Sequence, residues 1–321
     1  MVATICIYRY LQTFTYTTLQ SLRKVMNRLQ TSIAIFGIIG ILGGQPATAI
    51  IQPTQTVIAQ PSEKEYLDLG LQKYEQGDYK GAIADFNQAI LLNPNSDLAY
   101  IYRGNARDDN GDPRGAIADY NKSLQFNPKN ASAYYNLGVT YERMEDYTLA
   151  IANYTKTIEF NPNYAPAYEN RGNLLDDQGN PQAALADYRQ AIQIAPKNPS
   201  VYYNQGVTYR RLKDNQAAIS SFNQAIKLKP DYFSAYNGRG NVFANLGNGQ
   251  AALRDFNRAL QINPKAADIY YNRGLLHIEL NNNQLAIKDF QQAASLYKQQ
   301  NRTEDYQDAI EQVKELQQAI I

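Results

Sequence analysis

Glycine returns every 34 residues along most of this chain, at Gly70, Gly104, Gly138, Gly172, Gly206, Gly240 and Gly274, and no other feature limits the fold as tightly. Four residues before each glycine stands a tyrosine: Tyr66, Tyr100, Tyr134, Tyr168, Tyr202, Tyr236 and Tyr270. Twelve after it comes an alanine (Ala82, Ala116, Ala150, Ala184, Ala218, Ala252, Ala286), and sixteen after it an aromatic ring (Phe86, Tyr120, Tyr154, Tyr188, Phe222, Phe256, Phe290). Proline closes six of the units, from Pro94 to Pro264, and the seventh has Lys298 there. Each unit reads as two helices broken at a turn such as Gln76-Gly77-Asp78 or Gln178-Gly179-Asn180 and stopped where proline cannot continue a helix. The glycine and alanine let two backbones approach, and the tyrosine and the second aromatic fill the space beside them.

This pattern resembles the tetratricopeptide repeat, with tyrosine where that family usually has tryptophan. The resemblance implies an all-α, right-handed α-solenoid of seven units: 63–96, 97–130, 131–164, 165–198, 199–232, 233–266 and 267–300. No unit buries its apolar face alone, so neighbours must stack and the ends need covering. Residues 301–321 supply a cover, with Tyr306, Ile310, Val313, Leu316 and Ile320 on one stripe of an amphipathic helix.

Before the repeats, positive charges from Arg23 lead into the apolar run Ile33–Leu42, a break at Gly43-Gly44 and Pro46, and Ala47-Thr48-Ala49. These are the parts of a secretory signal over residues 1–49, cleaved after Ala49; translation from Met26 would give a compact one. The expected destination lies across the inner membrane, in the periplasm or another extracytoplasmic compartment. The competing expectation is a membrane anchor over residues 32–51, although the run is shorter than the roughly 20 residues a spanning helix needs. Residues 50–62 read as a linker rich in Pro and Gln.

The formal charge of +1 hides an asymmetry, because Arg9, Arg23, Lys24 and Arg28 fall before residue 50 with no acid among them. The rest carries 31 − 4 = 27 cations against 30 acids, about −3, which argues against a basic nucleic-acid binder. The one cysteine, Cys6, lies in the leader, and His277 is the one histidine, so zinc sites and Ser-His or Cys-His catalysis lack material. No catalytic residue, cofactor or metal is expected. Asp108-Asp109 and Asp176-Asp177 read as solvated acids, and His277 as a packing residue.

A 68-residue period overlies the shorter one. Units two, four and six carry Arg103-Gly104-Asn105, Arg171-Gly172-Asn173 and Arg239-Gly240-Asn241; units three, five and seven carry Tyr134-Tyr135-Asn136, Tyr202-Tyr203-Asn204 and Tyr270-Tyr271-Asn272. Sixteen residues after each arginine stands an aspartate, which predicts structural ion pairs Arg103 with Asp119, Arg171 with Asp187, Arg239 with Asp255 and Arg273 with Asp289. In the resembled family the first helix of each unit lines a concave groove. Carried onto this chain, Tyr135, Tyr203, Tyr271, Asn105, Asn173, Asn241, Arg210 and Arg211 become groove candidates, with Asp108, Asp109, Asp176, Asp177, Glu142 and Arg143 beside them. The asparagine pairs Asn105 with Asn136, Asn173 with Asn204 and Asn241 with Asn272 fit the places where chaperone-binding members grip a carboxylate, but the cations of that clamp are missing. The resemblance therefore implies a non-catalytic scaffold holding a protein or peptide segment, the assembly work at an envelope or membrane complex common among such repeat proteins, and a membrane contact only through an uncleaved leader. Glycan binding is the alternative, since Tyr and Asn also suit sugar faces and hydroxyls.

Overall fold

The computed structural model describes residues 60–319. The leader, its two start sites, the cleavage point, nearly all of the linker and Ile320 lie outside the described residues. Within them the chain is entirely helical. Seven hairpins follow one another: α1 (Glu63–Glu75) with α2 (Tyr79–Leu92), α3 (Asp97–Asp109) with α4 (Pro113–Phe126), α5 (Ala131–Arg143) with α6 (Tyr147–Phe160), α7 (Ala165–Asp177) with α8 (Pro181–Ile194), α9 (Pro199–Arg211) with α10 (Asn215–Leu228), α11 (Phe233–Asn245) with α12 (Gly249–Ile262), and α13 (Ala267–Glu279) with α14 (Asn283–Gln299). A last helix, α15 (Thr303–Ala319), packs on α14.

Local chemistry sets the helix ends. Ser62 and Glu65 form a reciprocal capping box on α1, with Glu65 Oε2 accepting from the Ser62 amide at 2.7 Å. Second helices start at a side-chain cap, Asp78, Asp112, Asp146 or Asp214 in four units and Asn180 or Asn248 in two more. The turn before that cap needs a left-handed residue. Gly77, Gly111, Gly179 and Gly247 provide it in units one, two, four and six, whereas Glu145, Lys213 and Asn281 adopt positive φ in units three, five and seven. The two-unit period thus extends into the turns.

At each hairpin crossing an aromatic ring lies on a glycine. A Cβ on Gly138 would meet Tyr154 Cε1 at 2.6 Å, and one on Gly104 would meet Tyr120 Cε1 at 2.6 Å. Phe86, Tyr120, Tyr154, Tyr188, Phe222, Phe256 and Phe290 are fully buried there. The tyrosine before each glycine has a different setting: Tyr100 stacks on Phe126 and Tyr134 on Phe160. The hydroxyls of Tyr134, Tyr202 and Tyr236 donate to the carbonyls of Pro128, Pro196 and Pro230. Helix α15 ends the stack by burying Ala309, Val313 and Leu316, with Tyr306 and Ile310 partly covered.

First helices of successive repeats touch one another along most of the array, as α1 does α3 and α9 does α11, and second helices do not to that extent. First helices therefore line the inside of the curve, and second helices its outside.

Candidate ligand groove on the first helices

Each arginine beside a repeat glycine turns away from the groove. Arg103 donates through Nε and Nη2 to the two carboxylate oxygens of Asp119, at 2.9 and 2.6 Å. The same two-pronged contact joins Arg171 to Asp187 at 2.8 and 2.7 Å, Arg239 to Asp255 at 2.8 and 2.7 Å, and Arg273 to Asp289 at 2.7 Å twice. The remaining nitrogen, Nη1, reaches the second helix of the preceding unit at Asn87, Thr155, Asn223 or Asn257. The guanidinium also covers the face of the tyrosine one turn earlier, 5.3 Å from the Tyr100 ring centre in unit two. One side chain thus fastens three helices, and its fixed fork is what a lysine would lack. The partner sixteen residues behind each arginine was missed in the sequence, although Asn87, Thr155, Asn223 and Asn257 lie at the mirror spacing.

The groove asparagines are held by hydroxyls from beneath. Asn105 Oδ1 accepts from the Tyr120 hydroxyl and from Asn136 Nδ2, both at 2.8 Å. Two units on, Asn173 Oδ1 accepts from the Tyr188 hydroxyl and from Asn204 Nδ2, both at 2.9 Å. Each of these pairs leaves the Nδ2 donor of one amide and the Oδ1 acceptor of the other unmatched by those bonds. The third pair is not brought together: Asn272 donates instead to Asn237 at 3.2 Å. Unit six has Phe256 where the others have Tyr120 and Tyr188, so no hydroxyl orients Asn241.

Tyr135, Tyr203 and Tyr271 are half-buried and lean on core rings. Tyr135 sits 4.9 Å from Tyr164 and 5.7 Å from Tyr154, and Tyr203 sits 5.2 Å from Tyr232 and 5.9 Å from Phe222. Tyr271 meets Phe290 edge-on at 5.1 Å and borders a small cavity, which Asp268, Asn272, Tyr297, Asp305 and Asp308 also line. Burial pushes the Tyr203 hydroxyl up, with the charge of Arg210 opposing the rise.

Acids and arginines of the groove pair across repeats. Asp108 is buried, accepts from Thr140 Oγ1 at 2.8 Å and forms an ion pair with Arg143. Arg211 pairs in the same way with the buried Asp176. Burial still raises the Asp108 carboxyl above its usual range, against the pull of Thr140 and Arg143. Glu142 accepts from the Tyr154 hydroxyl at 2.6 Å; burial lifts its pKa, and nearby Asp177 lifts it further. Glu169 is likewise raised by burial while it accepts from Asn198 Nδ2 at 2.7 Å.

His277 occupies the place of Tyr141 and Tyr209, buried on α13, with Nε2 3.8 Å from Asp289. Burial lowers its pKa. Among the described residues no group of three His, Cys, Asp or Glu side chains is placed to hold a metal ion, and no helix is long and apolar enough to cross a membrane.

The fold and the spacing of these side chains define an α-helical repeat protein. Sequence profiles described as "TPR repeat" match residues 70–111 and 109–145, and profiles described as "Tetratricopeptide repeat" match 131–164, 169–233, 203–267 and 237–301. The chain belongs to the tetratricopeptide repeat family. No curated protein matches it. Among solved structures it is similar to a tetratricopeptide repeat protein from Parabacteroides merdae ATCC 43184, with 19% identity and a TM-score of 0.60 over 77% of this chain and 98% of that one. It is also similar to Pseudomonas aeruginosa pilF, with 16% identity and a TM-score of 0.58 over 68% and 96%. YrrB, described as a TPR protein with an unusual peptide-binding site, shares 22% identity at a TM-score of 0.51 over 61% and 97%. These likenesses show a shared fold.

Proposed function

We propose that this protein is a non-catalytic scaffold outside the cytoplasm whose concave groove holds an extended polypeptide, in the service of assembling an envelope or membrane complex. The observation that supports this most is the pair of oriented amide couples, Asn105 with Asn136 and Asn173 with Asn204. Each sets a side-chain donor beside a side-chain acceptor, the complement of a peptide carbonyl and N–H. Tyr135 and Tyr203 add apolar area with little freedom to lose, since their rings are already packed. Such contacts read main chain and tolerate sequence. The peptide-binding site named for YrrB belongs to that protein; it supports the present reading as an example of the fold binding a peptide. An exported location rests on the leader sequence.

The test is binding of unstructured polypeptides of varied sequence and of soluble polysaccharides to the wild type and to Asn136→Ala/Asn204→Ala. Polypeptide binding that weakens in the double variant supports the reading. Retention of polysaccharides alone sinks it in favour of glycan binding.

A further inference from the structure

The two faces of the array carry opposite charge, and the sorting is built into the core. The second helices, α2 through α14 at every other step, hold ten cations: Lys80, Arg114, Lys122, Lys156, Arg189, Lys227, Arg254, Arg258, Lys288 and Lys298. The same helices hold six acids, of which Asp85, Asp119, Asp187, Asp255 and Asp289 are buried. Each of those five points inward to a cation of its own first helix: Lys73, Arg103, Arg171, Arg239 or Arg273. Glu159 is the one exposed acid left on the second helices, and Lys156 holds it. The same pairs draw four arginines away from the groove, where Asp108, Asp109, Glu142, Glu169, Asp176 and Asp177 outnumber Arg143, Arg210 and Arg211. Four exposed aspartate caps, Asp78, Asp112, Asp146 and Asp214, head the second helices, so the cations still outnumber the exposed acids there.

Apolar side chains accompany the cations outside. Leu91 is 71% exposed, Leu285 50% and Leu149 41%, all on second helices.

We propose that the outer, second-helix face of the array docks on an anionic phospholipid surface. A body whose charge beyond residue 49 is about −3 has no long-range attraction for a polyanion. A flexible polymer that wraps the array meets the acidic groove as well as the basic back. A flat lipid surface meets one face only, and a helix layer of roughly 10 Å sets the other face about one Debye length further away. Charge complementarity then acts without cancellation, with each basic residue near the headgroups contributing, and the exposed leucines have an interface to enter. The groove is left open on the side away from the lipid.

The test uses the full chain, wild type and Lys227→Glu/Arg254→Glu/Arg258→Glu/Lys288→Glu, four exposed positions outside every ion pair found among the described residues. Co-sedimentation is read with vesicles of phosphatidylcholine alone and with vesicles of equal parts phosphatidylcholine and phosphatidylglycerol. The leader is identical in both proteins, so its contribution cancels. The expected result is wild-type binding that needs phosphatidylglycerol and falls with added salt, and a loss of about tenfold or more in the variant, with unchanged helical content and unchanged polypeptide binding. Equal binding by the two proteins overturns the proposal. So does a wild type that prefers a soluble anionic polysaccharide or nucleic acid to the vesicles.

Discussion

Arg171 and Asp187 face each other across hairpin four in a two-pronged contact of 2.8 and 2.7 Å, sixteen residues apart on different helices. The aspartate is almost wholly covered, so its charge depends on the guanidinium for compensation. Asp187→Ala is expected to destabilise the array by roughly 3 kcal/mol, because a largely buried arginine loses its partner. Replacing both residues with Arg171→Met/Asp187→Leu is expected to recover most of that loss. Urea midpoints together with amide exchange in α7 and α8 measure it, since a repeat array unfolds by parts.

At the hairpin crossing, Gly138→Ala sets a methyl group against the Tyr154 ring, at 2.6 Å before any adjustment. A cost of about 1–3 kcal/mol is expected from overpacking. Gly179→Ala meets no neighbour but must hold φ at +78, so its smaller cost of roughly 1 kcal/mol comes from the backbone. Thermal midpoints of the two variants distinguish crowding from strain.

Phe256→Tyr is expected to create a bond. The new hydroxyl would lie under Asn241 as Tyr120 lies under Asn105, orienting its Oδ1 to receive Asn272 Nδ2 in place of Asn237. A gain of up to about 1 kcal/mol is expected, and a crystal structure of the variant shows whether Asn272 has changed partner.

Arg210 and Arg211 are adjacent groove arginines with different duties. Arg211 pairs with buried Asp176, whereas Arg210 forms no ion pair among the described residues and its charge reaches the Tyr203 hydroxyl. Arg211→Ala is expected to lower stability by roughly 1 kcal/mol, discounted for its own exposure. Arg210→Ala is expected to leave the unfolding midpoint in place and to alter ligand binding alone.

His277 gives unit seven an acid sensitivity. Burial holds its folded pKa below 6.5, against the opposing pull of Asp289, so the unfolded chain takes up a proton first as pH falls. Its contribution to stability is therefore whole well above pH 6.5 and declines on acidification until the folded form also titrates. His277→Tyr, the residue type of units three and five, is expected to flatten that slope between pH 7.5 and 5.5 in urea titrations.

The solenoid is legible in the sequence because its crossing needs a glycine, an alanine and a ring at fixed places, and a packing demand repeated seven times leaves a period. The spacing of Arg103 to Asp119 is legible for the same reason: both ends lie in one unit. Contacts between units are harder to see. Asp108 and Arg143 are 35 residues apart, in helices that sequence periodicity does not pair, and both read as solvated groove residues until the stack brings them together. The asparagine at position 241 looks identical to Asn105 and Asn173, yet its orientation depends on a single hydroxyl that Phe256 lacks. Tyr135 and Tyr203 read as surplus to the core because their packing partners include Tyr164 and Tyr232, which belong to the closing loop of the unit.

The ties between units also say how this chain can be cut. Asp108 meets Arg143 and Asn105 meets Asn136, while Asp176 meets Arg211 and Asn173 meets Asn204. Excising residues 131–198 would set Asp108 opposite Arg211 and Asn105 opposite Asn204, so the join inherits a working set of contacts. Excising only 131–164 would instead bring Asp108 and Asp109 against Asp176 and Asp177, with no arginine between. At this place the array is divisible by two units and not by one, in a step of 68 residues.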